Sequence, residues 1–283
     1  MAFPHELVRR IERLTALDKV AKPVAGLVGR AVRPRPIRNL LSGTNLGHPA
    51  HPMLTDLPIG AWSMSTLLDT LGGASAEPAA DLLVGAGILS AIPTAATGLN
   101  DWSDTIGAER RVGAVHASTN VAALVLYVAS LLARRSGRRG RGKALGLAGL
   151  GVLMIGGYLG GHLSFARAVN VNHATFEHRP QDWTPVLAEA ELGEGQHRRV
   201  SAGEASVLLV RDDGELYALA NTCSHAGGPL DEGELVDGCV ICPWHASTFR
   251  LTDGSIVRGP ASTPQPAYQT RVRNGKIEVR SLG

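Results

Sequence analysis

Two thiols and two imidazoles crowd into one short window, as Cys223-x-His225 and Cys242-x-x-His245, with sixteen residues between the pairs. Cysteine thiolate and neutral imidazole are the side chains that hold borderline-soft transition metals. The spacing therefore reads as a metal site fed by two loops, each delivering one sulfur and one nitrogen. Cys239, the only other cysteine, falls in the same window. Three thiols placed together cannot be a disulfide scaffold, which needs an even number spread through the fold. By ligand type, a structural zinc ion bound tetrahedrally by all four groups and an iron centre both remain open.

The pattern resembles the signature of the Rieske iron-sulfur family. The likeness runs on through "HAGGPLDEG", "CPWHASTF" and "GPASTPQPAY", and covers most of residues 183 to 280. It implies a 2Fe-2S cluster in which Cys223 and Cys242 hold one iron and His225 and His245 the other. Thiolates neutralise their iron, whereas neutral imidazoles leave the other side less negative and easier to reduce, so the implied work is transfer of one electron at a time. High-potential members often join the two loops by a disulfide whose cysteines would fall at Gly228 and Trp244 here. Neither is cysteine, which resembles the ferredoxin-type branch and implies a reducing compartment and the lower part of the Rieske range of about −150 to +300 mV. Ser247 matches the family's serine that hydrogen-bonds a cluster sulfur, but Phe249 stands where a tyrosine is usual, which implies an intermediate potential. Cys239 has no evident partner and is expected to be a buried free thiol.

The elements that must position these ligands have the texture of strands. "VSAGEASVLLVRDDGELYALANTC" predicts a hairpin turning at Asp212-Asp213-Gly214, and Asn274-Gly275 predicts another between "YQTRVR" and "KIEVR". Residues 183–283 are therefore expected to form a small all-β domain, joined by a linker at 167–182 to a different material.

That material, residues 50–166, is dominated by Ala, Gly, Leu and Val. Apolar stretches run approximately over 54–71, 82–99, 112–132 and 144–163, each near the length of about 20 residues that crosses a bilayer. Short connections predict an up-down, all-α four-helix transmembrane bundle. The glycine-rich fourth stretch, "ALGLAGLGVLMIGGYLGGHL", suits close helix packing in lipid. Residues 1–49 form a basic amino-terminal tail. Residues 4–20 carry apolar positions at helical spacing and are expected to be an amphipathic helix at the membrane surface or a solvated one.

In an up-down bundle, His48, His51 and Asp56, Asn100, Asp101 and Asp104, His116 and Asn120, and His162 all converge on one membrane face. Ionisable groups near membrane depth are functional candidates. His116 and His162 are candidates for a haem, metal or quinone site, with His51, Asp56 and Asp101 beside them; for His48, Asp56 and Asp101 interfacial hydrogen bonding or helix capping is the favoured reading.

A net charge of +3, not gathered in one stripe, sets nucleic acid aside. Six positive charges in residues 134–143 oppose a basic tail that includes Arg33, Arg35 and Arg38, so the two orientation signals conflict. With no cleavable leader in "MAFPHELVRRIERL", the tail is expected to stay inside. An even number of crossings then returns the carboxy-terminal domain to the cytoplasmic side of a bacterial cell membrane.

Three functions are expected to compete. The first is a membrane-anchored carrier of single electrons between a membrane partner and a redox protein. The second is a haem- or quinone-binding bundle coupled to the cluster, and the third is a metal or redox sensor. An oxygenase with its own substrate-oxidising iron is disfavoured, since too little chain follows His245 to build the two-histidine, one-carboxylate site.

Overall fold

The computed structural model describes residues 3–282, with side chains from His5 onward. In chain order the long helices are α1 (Phe3–Arg13), α2 (Asp18–Ala31), α3 (Arg35–Ser42), α4 (Ala50–Leu71), α5 (Glu77–Ser103), α6 (Gly107–Arg135) and α7 (Arg139–Gly161). The chain divides into two compact units. One comprises Met1–Pro34 and Pro49–Val169; the other comprises Arg35–His48 and Asn170–Gly283. The amino-terminal tail thus supplies both units.

The first unit is helical. Among the described residues, three of its helical stretches are long and apolar enough to cross a membrane: Ala74–Ser103, Gly107–Arg135 and Arg139–Ala166. The expected span over 54–71 is corrected: α4 forms and packs with α5, but His51, Asp56, Asp69 and several serines and threonines dilute its apolar character.

The core of this unit is built around Trp62 and Tyr127, whose rings stack with centroids 4.1 Å apart, together with Val84, Ala123 and Leu153. Trp62 also donates from its indole nitrogen to the Val84 carbonyl at 3.3 Å. A glycine row lets α7 lie against α6. A methyl on Gly149 would press on Tyr127 at 3.0 Å, and one on Gly156 would collide with Asn120. These are the close backbone approaches that small residues permit in membrane bundles.

One end of the bundle is tied by charge. Arg134 is buried and pairs with Asp69 on α4 and, at 2.9 Å, with Asp81 on α5. Arg139 reaches Asp81 at 3.1 Å and Glu77 at 2.8 Å. Part of the basic run between α6 and α7 is therefore partnered inside the protein.

The tail helix expected over 4–20 is interrupted by a tight turn at Thr15–Leu17. On α1, Val8 is buried against Val112 and Leu159, while Glu12 accepts from His162 Nε2 at 3.0 Å and from Arg167 at 2.9 Å. Burial alone would push the Glu12 carboxyl up, but those two partners outweigh it and hold the carboxyl below its usual value.

The second unit carries the strands. β1 (Thr184–Ala188), β2 (His197–Ala202), β3 (Ala205–Asp212) and β4 (Glu215–Ala220) are followed by β5 (Glu234–Val236), β6 (Cys239–Ile241), β7 (Thr248–Arg250), β8 (Ile256–Arg258), β9 (Ala267–Arg273) and β10 (Lys276–Ser281). Six form a sheet in the order β1-β10-β9-β4-β3-β2, and four form a second in the order β5-β6-β7-β8, with antiparallel pairing throughout.

The apolar run Val207–Val210 on β3 has both faces covered. Val207 and Leu209 enter a core with Ile277 and Val279, while Leu208 and Val210 enter a second core with Val240, Phe249, Cys223 and Cys242. Period-two alternation sends neighbouring residues to opposite faces. The expected turns are present: Asp213 and Gly214, and Asn274 and Gly275, all have positive φ, as two-residue hairpin turns require.

Candidate metal centre

Cys223 and His225 lie on the connection from β4 to β5, and Cys242 and His245 on the connection from β6 to β7. Each loop is closed by backbone bonds around its cysteine. Cys223 donates its N–H to the Gly228 carbonyl at 2.8 Å and accepts from Gly227 at 2.9 Å. Cys242 donates to the Ser247 carbonyl at 2.8 Å and accepts from Ala246 at 3.0 Å. The loops therefore adopt matching compact turns, and both thiols are buried.

The two loops bring their side chains together. Cys223 and Cys242 hydrogen-bond to each other, and the His225 and His245 rings stand edge to face with centroids 5.0 Å apart. The shared hydrogen bond, aided by the Trp244 and His245 N–H groups, holds the Cys242 thiol below its usual range against the opposing effect of burial. The same hydrogen bond, with burial and the neighbouring thiolate, holds Cys223 up. Burial first, then the charges of His245, Arg38 and His173, pushes His225 down to about 3. One sulfur is prepared as an anion and the ring as a neutral donor, the forms a metal takes.

The donor set fits a 2Fe-2S cluster of the Rieske kind: two sulfurs on the buried side, two imidazoles on the partly exposed side, and backbone N–H groups aimed at the sulfurs. Gly228 completes the cradle. A methyl there would meet Cys242 Sγ at 3.0 Å and the Trp244 ring at 3.1 Å. Positions 228 and 244, where high-potential relatives carry a disulfide, are thus neighbours in space, and the indole occupies that junction instead. Gly228→Ala is expected to cost about 1–3 kcal/mol by overpacking, measured as a lower thermal midpoint of this unit with less iron retained. Cys239 is buried on β6, its thiol 3.6 Å from the Asp237 carbonyl.

A third loop, residues 258–265, braces both the Cys223–His225 and the Cys242–His245 loops. Arg258 donates to the Ala246 carbonyl at 2.8 Å. Ala261 donates its N–H to Ser247 Oγ at 3.1 Å. Ser224 donates its hydroxyl to the Thr263 carbonyl at 2.8 Å. Gln265, almost fully buried, accepts from the Ser224 N–H at 2.9 Å and donates to the Ala220 and Thr222 carbonyls, each at 2.7 Å. Residue-by-residue reading missed Gln265 and Arg258. The only signal was their place in or beside the quoted "GPASTPQPAY", where a buried glutamine between two prolines has few uses but bracing backbone.

In the helical unit the candidates separate. His51 donates from Nδ1 to the Thr94 carbonyl at 3.0 Å, and its ring lies over Gly98. His116 donates from Nδ1 to the Gly156 carbonyl at 2.8 Å, with Asn120 Nδ2 3.1 Å from its Nε2 and its ring over Gly160. His162 is engaged by Glu12, Asp101 accepts from Asn100 at 3.0 Å, and Asp56 is exposed on α4. Hydrogen bonds between helices account for the placement of His51, His116 and His162.

Comparison with known proteins places both halves. Residues 182–269 match the model of the Rieske [2Fe-2S] domain, and residues 47–173 match DUF2231, described as a predicted membrane protein. Mouse apoptosis-inducing factor 3 is 37% identical over 104 residues, 36% of this chain, but the match spans only 17% of that protein's length. The anthranilate 1,2-dioxygenase ferredoxin subunit of Burkholderia cepacia is 33% identical over 98 residues, covering 35% of this chain and 91% of the subunit. The solved ferredoxin of carbazole 1,9a-dioxygenase from Nocardioides aromaticivorans IC177 shares 29% identity over 35% of this chain and 97% of its own, with a TM-score of 0.34. The chain belongs to the Rieske [2Fe-2S] family, with a DUF2231 membrane domain preceding the cluster domain in the same polypeptide.

Proposed function

We propose that this protein is a membrane-anchored carrier of single electrons, in which Cys223 and Cys242 hold one iron of the cluster and His225 and His245 the other. The observation that carries the reading is the convergence of two buried thiols and two paired imidazoles, 5.0 Å apart, from separate loops. A cluster so held supplies one-electron chemistry. The protein does the rest. The backbone N–H groups near each sulfur stabilise negative charge, and the second core keeps water from the sulfur side. The partly exposed histidine rings, with exposed Trp244 beside them, form the face through which electrons pass to another protein.

The helical unit holds this carrier at lipid, in a bacterial cell membrane with the cluster unit on the cytoplasmic side. The likeness to a dioxygenase ferredoxin subunit supports a redox protein as one partner, with a membrane-embedded donor or acceptor as the other. The test is low-temperature EPR of the dithionite-reduced full-length protein in detergent, with iron and zinc analysis. A Rieske-type signal with about two irons per chain is expected; zinc without a signal would overturn the reading.

A further inference from the structure

The cluster unit contains a piece that its family likeness does not include. Segment 35–48 belongs to this unit, although Pro49–Val169, which separates it from the rest, belongs to the other. Its attachment is specific. Asn39 on α3 donates from Nδ2 to the Val257 carbonyl at 3.3 Å and accepts at Oδ1 from the Gly259 N–H at 2.9 Å. Thr44 donates its hydroxyl to the Ala261 carbonyl at 2.9 Å. Gly259 lies so close to Ser42 and Thr44 that a methyl there would press on both side chains.

These bonds grip the loop that braces the ligands. Ala261, held by Thr44 at its carbonyl, donates its N–H to Ser247 Oγ, and the Ser247 carbonyl in turn receives the Cys242 N–H. Ser247 Oγ accepts from Ala261, and a hydroxyl that accepts one bond keeps its own hydrogen to donate. One residue before Asn39, Arg38 is almost fully buried on the same helix, whose next side chain grips Val257 and Gly259, and its charge opposes protonation of His225.

We propose that segment 35–46, drawn from the amino-terminal tail, is a working part of the electron-transfer unit: Asn39 and Thr44 are positioning residues that fix Ala261 and Ser247 against the Cys242 loop, Arg38 adds positive charge beside His225, and together they raise the reduction potential. The inference rests on the cluster ligation proposed above. Reduction adds one electron and one negative charge, with no protein bond made or broken. A fixed hydroxyl donor and a nearby guanidinium both favour that added charge.

The experiment is a redox titration of the full-length protein in detergent, followed by EPR, with dithionite supplying the electrons. Arg38→Gln is expected to shift the one-electron equilibrium toward the oxidised form by about tenfold, which is ~59 mV lower, while Arg38→Lys retains most of the wild-type potential. Asn39→Ala with Thr44→Val is expected to lower the potential in the same direction, and to increase amide exchange at 257–261. If one variant fails to retain its cluster, the other decides. Cluster-bearing variants with wild-type potential overturn the inference. A wild-type protein that gives no Rieske signal instead overturns the ligation reading itself, so the two failures are distinguishable.

Discussion

Cys242→Ser is expected to abolish the cluster, taking iron from about two per chain to none, eliminating the reduced-state EPR signal and, with it, all electron transfer. Under the proposed ligation Cys242 is not a replaceable donor. Its thiol shares a hydrogen bond with Cys223 and is the more acidic of the two, receiving N–H groups from Trp244 and His245. A serine hydroxyl ionises far above physiological pH and is a hard oxygen, whereas the site offers a soft thiolate to iron. The bundle has its own core around Trp62 and Tyr127, so the variant is expected to reach detergent extracts in normal amount. Iron analysis and EPR on the membrane fraction separate loss of cluster from loss of protein. A variant that still transfers electrons would exclude the cluster from that role.

Arg134→Ala is expected to weaken the helical unit by about 3–5 kcal/mol, because it leaves Asp69 and Asp81 facing one another without the buried guanidinium that both contact. The arginine ties α6 to α4 and α5 at once and also donates to Ser130 at 3.1 Å, whose hydroxyl reaches the Gly142 carbonyl on α7 at 2.6 Å. Removing one side chain thus loosens four helices. Arg134→Lys retains the charge but not the forked geometry, and is expected to recover only part of the loss. Thermal unfolding in detergent, followed by helical circular dichroism, measures the effect. The EPR signal of surviving protein is expected to be unchanged, because Arg134, Asp69 and Asp81 all belong to the helical unit and the cysteine–histidine loops to the other.

The window 221–248 stood out because its thiols and imidazoles are rare residue types at short spacing, and the β-hairpins were legible because Asp213-Gly214 and Asn274-Gly275 are among the few pairs that adopt positive φ without strain. The long helices were visible as apolar runs. Their count as membrane spans was not, since α4 has the length of a span while His51, Asp56 and Asp69 lower its hydropathy. The basic run after α6 read as an orientation signal, yet Arg134 and Arg139 are spent on Asp69, Asp81 and Glu77, carboxylates more than fifty positions away. The division of the tail was illegible for a related reason. Asn39 on a short basic helix and Thr44 just beyond it look like ordinary polar residues, and their partners are backbone groups of Val257, Gly259 and Ala261, which carry no mark in the sequence. Gln265 and Arg258 likewise act on carbonyls. Side chains that bind side chains leave complementary types to find; side chains that bind backbone leave only one half of the pair.

Because the cluster unit is assembled from two stretches of chain, its parts leave the ribosome at different times. Arg35–His48 emerges first and must wait while Pro49–Val169 is made. At about 5–20 residues per second that interval is on the order of ten seconds. During it the insertion machinery engages the apolar helices, and α3 has none of its eventual contacts on Val257, Gly259 or Ala261. Maturation of the redox centre is thereby ordered behind synthesis of the anchor: a nascent chain that stalls before its last hundred residues has a membrane domain and an orphaned clasp, but nothing on which iron could be assembled.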